Sequence, residues 1–166
     1  VRRKRVAAVL TGPPQDRETD EALAAKFMKR AATRAICGGT TAQIVSRYLG
    51  EALDVDLSTM TSDVPPVARM KGVDLVTEGI LTLTRARGLL QAGASRETVR
   101  FQTDGASSLV RLFLDVDHVH FIVGLAVNPA HQNPELPHQL GIRVSVVREI
   151  GEELRKRGTE VTIETV

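Results

Sequence analysis

Apolar residues fall into short unbroken runs, separated by longer stretches in which they recur every three or four positions; the alternation persists along the whole chain. Val6 to Leu10 is the first run, and Thr11-Gly12-Pro13-Pro14 ends it, because glycine opens a turn and proline has no N–H to offer a ladder. Asp16 to Arg30 reads as a helix, with Leu23 and Phe27 four apart and acidic residues crowding its first turn. Arg34 to Cys37 is the second strand. The helix after it, Thr41 to Leu49, puts Ile44, Val45, Tyr48 and Leu49 on one face and stops at Gly50. Leu53, Val55 and Leu57 alternate with Asp54 and Asp56, the mark of a strand with one wet face. From Ser58 to Lys71 no period holds and Pro65-Pro66 forbids a helix interior, so a functional or covering loop is expected.

Val73 to Val76 resumes a strand, and Thr77-Glu78-Gly79 leads into a helix carrying Ile80, Leu83 and Leu90, with Gly93 as its cap. A polar stretch from Ser95 to Gly105 precedes a helix bearing Leu109, Val110, Phe113 and Leu114. His118 to Val123 is then a strand, and Asn128 to Pro137 a polar loop stiffened by three prolines. Ile142, Val146, Ile150 and Leu154 repeat every four residues until Arg155-Lys156-Arg157-Gly158 closes that helix, and Thr159 to Val166 ends the chain as a strand. Strands alternating with helices predict an α/β fold, a Rossmann-like three-layer sandwich with a mainly parallel central sheet. Residues 1–166 read as one domain, without internal repeat or linker.

Composition narrows this picture. A chain of 166 residues buries roughly two thirds of its unfolded surface. With 3% aromatic residues among 42% hydrophobic ones, the core must be aliphatic, as suits strands covered on both faces. The formal charge is only +2, and the one basic cluster, Arg2 to Arg5, is terminal and has no interleaved aromatic residues, so nucleic acid is not an expected partner. Cys37 stands alone and forms no internal disulfide. No apolar run approaches the ~20 residues of a membrane span, and the first apolar run stops too early for a signal peptide. The expected address is the cytoplasm, with no membrane partner. A start directly on a strand, without an initiator Met, suggests a piece of a longer protein.

If the strands are parallel, the turns at Thr11-Gly12, Gly38-Gly39-Thr40-Thr41, Thr77-Glu78-Gly79 and Gly124 to Gln132 meet at one edge of the sheet, where ligands bind in such folds. Gly38 and Gly39 would let backbone approach a ligand closely, while the N–H groups of the following helix point at it and Thr40 or Thr41 adds a hydroxyl. That chemistry suits a phosphate or carboxylate. The motif matches neither G-x-G-x-x-G nor the lysine-bearing phosphate loop, and tight packing with a threonine cap explains the same residues without a ligand. Asp54 and Asp56 stand where a ribose-binding carboxylate belongs, or on a solvated strand face. Glu78 is a candidate base or simply an acid welcome at a helix start. His118 and His120, preceded by Asp115 and Asp117, outline a metal site that lacks a third partner. Asn128 and His131 lie in the proline-stiffened loop as recognition residues. Cys37 is expected to be a buried strand residue rather than a nucleophile.

LTGPP at Leu10, CGGTTAQIVSRYLG at Cys37, VDLS at Val55, SDVPP at Ser62, GVDLVTEGILTL at Gly72, DGAS at Asp104 and AVNPAHQNP at Ala126 together resemble the region that follows the catalytic domain in SpoIIE-type bacterial metal-dependent Ser/Thr protein phosphatases. The resemblance covers nearly the whole chain. It implies an N-terminal phosphatase domain as partner, with Mn or Mg belonging to that domain alone; this chain carries none of its paired metal-binding aspartates and no cofactor of its own. The expectation is an accessory, regulatory domain holding a small anionic, phosphate- or nucleotide-like ligand on Gly38, Gly39, Thr40 and Thr41. Thr11, Gly12, Thr77, Glu78, Asn128 and His131 would close the site. The alternatives are a stand-alone enzyme on a phosphorylated small molecule, with Glu78 or His131 as acid or base, and a structural module that forms a homodimer.

Overall fold

The computed structural model describes residues 3–126 and 136–166. Seven strands form one sheet: β1 (Val6–Thr11), β2 (Thr33–Cys37), β3 (Asp54–Asp56), β4 (Val67–Met70), β5 (Val73–Thr77), β6 (His118–Val123) and β7 (Glu160–Thr165). Their spatial order is β3-β4-β5-β2-β1-β6-β7. All the pairs from β5 to β7 are parallel, whereas β3-β4 and β4-β5 are antiparallel. The helices are α1 (Asp20–Arg30), α2 (Gly39–Leu49), α3 (Ile80–Gln91), α4 (Arg96–Val99), α5 (Gly105–Leu114) and α6 (Leu136–Lys156). This is the α/β, Rossmann-like sandwich that the alternating pattern predicts.

The carboxyl-terminal halves of β1, β2 and β6 are buried on both faces, which is why apolar residues run together there. Ala8, Leu10, Ile36, Val76 and Ile122 face α1 and α2, packing on Leu23, Phe27, Ile44 and Val45. Val9, Ala35, Phe121 and Val123 face α3, α5 and α6, packing on Leu83, Leu109, Phe113, Val147 and Ile150. Phe113 meets Phe121 with ring centroids 5.7 Å apart at 60°, a tilted pair that adds about 1 kcal/mol to the area it buries and ties α5 to β6. Among the described residues no helix is long and apolar enough to cross a membrane.

The run from Ser58 to Lys71 is not wholly a loop. It holds a 3-10 turn (Leu57–Thr59) and β4, a four-residue strand placed directly after the two prolines. Its brevity and its Val67-Ala68-Arg69-Met70 composition hide any period. Within the polar stretch before α5, Ser95 and Thr98 form a reciprocal capping box that makes the short α4. Helix α6 already runs from Leu136, overlapping the end of the expected loop, and Pro137 lies one residue inside that start, where an N–H is not needed.

From β1 the chain steps through α1 to β2 and onward to β5; it then crosses back under α3 and α5 to β6 on the other side of β1. The direction of winding therefore reverses between β1 and β6, and a crevice opens at their carboxyl ends. Backbone closes tightly on its floor. Gly124 N–H donates to Thr11 O at 2.8 Å, and a Cβ built on Gly124 would lie 2.1 Å from the carbonyl oxygens of both Gly12 and Pro13. Gly124→Ala is expected to destabilise the protein by about 3 kcal/mol or more, the range of severe overpacking. Gly39→Ala, whose Cβ meets nothing within 4 Å, should be neutral or stabilising by up to ~1 kcal/mol. Urea unfolding of the two variants checks the contrast.

Candidate anion site at the sheet edge

The four turns singled out in the sequence do converge, because β1, β2, β5 and β6 run parallel and end on one edge. Gly38 N–H donates to Thr77 O at 3.0 Å, and Gly79 packs so closely that its Cβ would sit 3.4 Å from Gly38 Cα. The order along the edge follows the sheet: Glu78 beyond β5, Gly38 beyond β2, Gly12 beyond β1 and Gly124 beyond β6. Asn128 and His131 lie outside the described residues.

The two glycines of the motif have different explanations. Gly38, at φ 143° and ψ 132°, holds a backbone conformation closed to other residues, and a Cβ on it would meet Thr41 Oγ1 at 3.0 Å. Packing accounts for it. Gly39 is exposed and opens α2 with free space where a side chain would stand, so packing does not account for it.

Two helices of eleven and twelve residues begin at this edge, each after a glycine that offers no side-chain cap and with no acid in its first turn. Burial raises the pKa of Glu78, just before α3, against the lesser pull of the N–H groups of Leu81 and Thr82 at that helix's start. The opening of α2 has neither a side-chain cap nor an acid in its first turn. Its first N–H groups find no partner within the helix, and Gly39 and Thr40, which open it, are exposed. Thr41 and Thr11 are each 1% exposed, and the hydroxyl oxygens of both are buried without a hydrogen-bond partner, as are Thr82 Oγ1 and one oxygen of Glu78. Buried hydroxyls without partners are rare, because each costs about 1–3 kcal/mol. Here they cluster at strand ends and helix starts on the edge where the fold places ligands.

One residue of this edge carried no signal in the sequence. Arg143, on α6, brings Nη1 over Gly12, where a Cβ would lie only 2.4 Å away, and donates to Gly124 O at 3.4 Å. Burial lowers its pKa, and no carboxylate pairs with it among the described residues. An arginine in an amphipathic helix looks like a solvated one until the crossing of α6 over β1 and β6 is known.

The remaining candidates find structural roles. Asp56 accepts from Ser58 N at 3.1 Å and from Arg69 at 3.2 Å, capping the 3-10 turn, and Asp54 is exposed on an edge strand two places from β5; neither faces the crevice opened between β1 and β6. Asp104 caps α5 through Ser107 N at 3.0 Å. Cys37 is buried and its thiol is pushed up to about 12, chiefly by that burial, so it is no nucleophile at neutral pH. No group of three His, Cys, Asp or Glu among the described residues is placed to hold a metal ion. Clefts of about 430 and 520 Å³ lie elsewhere, lined by residues such as Arg5, Asp74 and Arg111, and Glu51, Arg69 and Lys71; neither touches the four turns.

His118 and His120 belong instead to a chain of hydrogen bonds across β6 and β7. His118 Nε2 lies 2.9 Å from Thr162 Oγ1, that hydroxyl contacts His120 Nδ1, and His120 Nε2 lies 2.9 Å from Glu164. The network is satisfied by two neutral imidazoles that donate from Nε2, a tautomer assigned from its partners. The ion-pair distance to Glu164 alone would favour a charged His120, but Lys26 also pairs with Glu164. Burial, and then the positive charge of Arg30, bring the His120 pKa down to about 4 from the ordinary 6.5. The unfolded chain thus binds a proton between those values that the folded chain refuses, so stability falls as pH drops from 6.5 toward 4. His120→Gln, which keeps a donor and an acceptor but cannot titrate, is expected to flatten the melting-temperature decline in that window. An unchanged slope would overturn the assignment.

No family model, curated protein or solved structure matches this chain.

Proposed function

We propose that this protein is an accessory, regulatory module that binds a small anionic, phosphate- or nucleotide-like ligand at the start of α2. The open helix N-terminus, with the buried, unpartnered Thr41 hydroxyl beside it, carries this reading. An anion there meets the positive end of the helix dipole and the N–H groups of the first turn. Gly39 leaves the approach clear. Glu78, with one oxygen lacking a partner, is an acceptor for a hydroxyl or amino group of the same ligand, one strand away. The resemblance supplies the partner, an N-terminal phosphatase domain, and occupancy of the site would be the signal passed to it.

Glu78 also favours a second reading. A carboxyl raised by burial and sitting in a crevice suits general acid–base work, so a stand-alone enzyme on a phosphorylated small molecule is the alternative; turnover lost in Glu78→Gln would select it.

The site's own strain supplies the test. Thr41→Val replaces an unpartnered buried hydroxyl by a methyl of the same shape, so it should stabilise the ligand-free protein by up to ~1 kcal/mol while weakening the ligand. Gly39→Val, which has room to fold, should block the approach. Thermal shifts with inorganic phosphate, sugar phosphates and nucleotides are expected in the wild type, reduced in Thr41→Val and absent in Gly39→Val. Wild-type protein that no anion stabilises would end this reading.

A further inference from the structure

Arg143 and the start of α2 border the same residue from opposite sides. A Cβ on Gly38 would lie 3.9 Å from Gly12 N, and a Cβ on Gly12 would lie 2.4 Å from Arg143 Nη1. The two positive groups are therefore separated by little more than the width of β1, one to two strand spacings of about 4.8 Å. Between them are the end of β1 and the unpartnered hydroxyl of Thr11. The guanidinium has five N–H donors in a rigid fork, and among the described residues it makes one long bond, to Gly124 O. No acid among the described residues neutralises it, although it is half-buried. Such a fork is matched by the oxygens of a phosphate.

We infer that the crevice takes a diphosphate, with one phosphoryl group on the N-terminus of α2 and the other on the fork of Arg143, bridging the end of β1. This rests on the reading of α2 as an anion site and adds a second pole to it. A single phosphate occupies one pole; a diphosphate reaches both. Pyrophosphate itself and a nucleoside diphosphate share this chemistry, and the latter has a nucleoside left over to reach along the edge toward Glu78.

Calorimetric titration of the chain with inorganic phosphate, pyrophosphate and ADP, at one ionic strength, tests the inference. Wild type is expected to bind pyrophosphate about tenfold or more tightly than phosphate, the scale of a hydrogen bond to a charged group. Arg143→Gln should bring pyrophosphate down to the level of phosphate and leave phosphate itself unchanged. Arg143→Lys, which keeps the charge and loses the fork, should fall between them; if Arg143→Gln is unfolded by circular dichroism, the lysine variant carries the comparison. ADP tighter than pyrophosphate assigns the source as a nucleoside diphosphate, and equal affinity assigns it as pyrophosphate. Equal binding of phosphate and pyrophosphate, or a ratio that the Arg143 variants do not move, would overturn the diphosphate while leaving the α2 site standing. Failure of all three compounds to bind wild type would overturn the α2 site itself.

Discussion

A parallel sheet obliges every crossover helix to begin where a strand has just ended, so the positive ends of several helices gather on one edge. In this protein that accumulation is the constraint to which the rest of the edge responds. Helix α1 meets it with Asp20 and Glu21 in its first turn, and α3 has the Glu78 carboxylate just before its first residue. Helix α2 has no acid in its first turn and no side-chain cap. The positive field left at α2 is joined by a guanidinium brought in by α6. Among the described residues no acid lies in the first turn of α2 and no carboxylate pairs with that guanidinium.

The same edge concentrates hydroxyls that the fold does not use. Thr11 ends a strand and Thr41 and Thr82 stand in the first turns of helices, and all three are buried without partners. Valine would fit these shapes and release the cost of burying an oxygen. Natural chains tolerate such losses where function needs them. The histidine network across β6 and β7 shows the opposite economy, since both ring nitrogens of His120 and the Thr162 hydroxyl are matched to neighbours; its two rings join the strands.

Much of this architecture was legible in the sequence. Central strands end in apolar runs where helices cover both faces, and that pattern survives translation into linear text; hence β1, β2, β5 and β6, and the convergence of the turns after them, are legible from those runs. What failed to show was whatever depends on short range or on crossing geometry. The four residues of β4 are too few to display a period, and their antiparallel pairing makes no demand on the sequence between. Asp54 and Asp56 alternate as a strand should, but the sheet places that strand at its outer edge, away from the crevice. The Gly-Gly pair looked like one device and is two: Gly38 is fixed by its backbone angles and Gly39 is not. Arg143 could not be read at all, because its meaning comes from lying across two strands that are far from it along the chain.

The backbone contact among Gly12, Pro13 and Gly124 has one more consequence. Carbonyl groups already touching the glycine opposite leave the floor of the crevice no slack, so it cannot close over a ligand as a hinged clamp does. A preformed floor of this kind removes the conformational delay from association and leaves the encounter rate to diffusion and electrostatic steering.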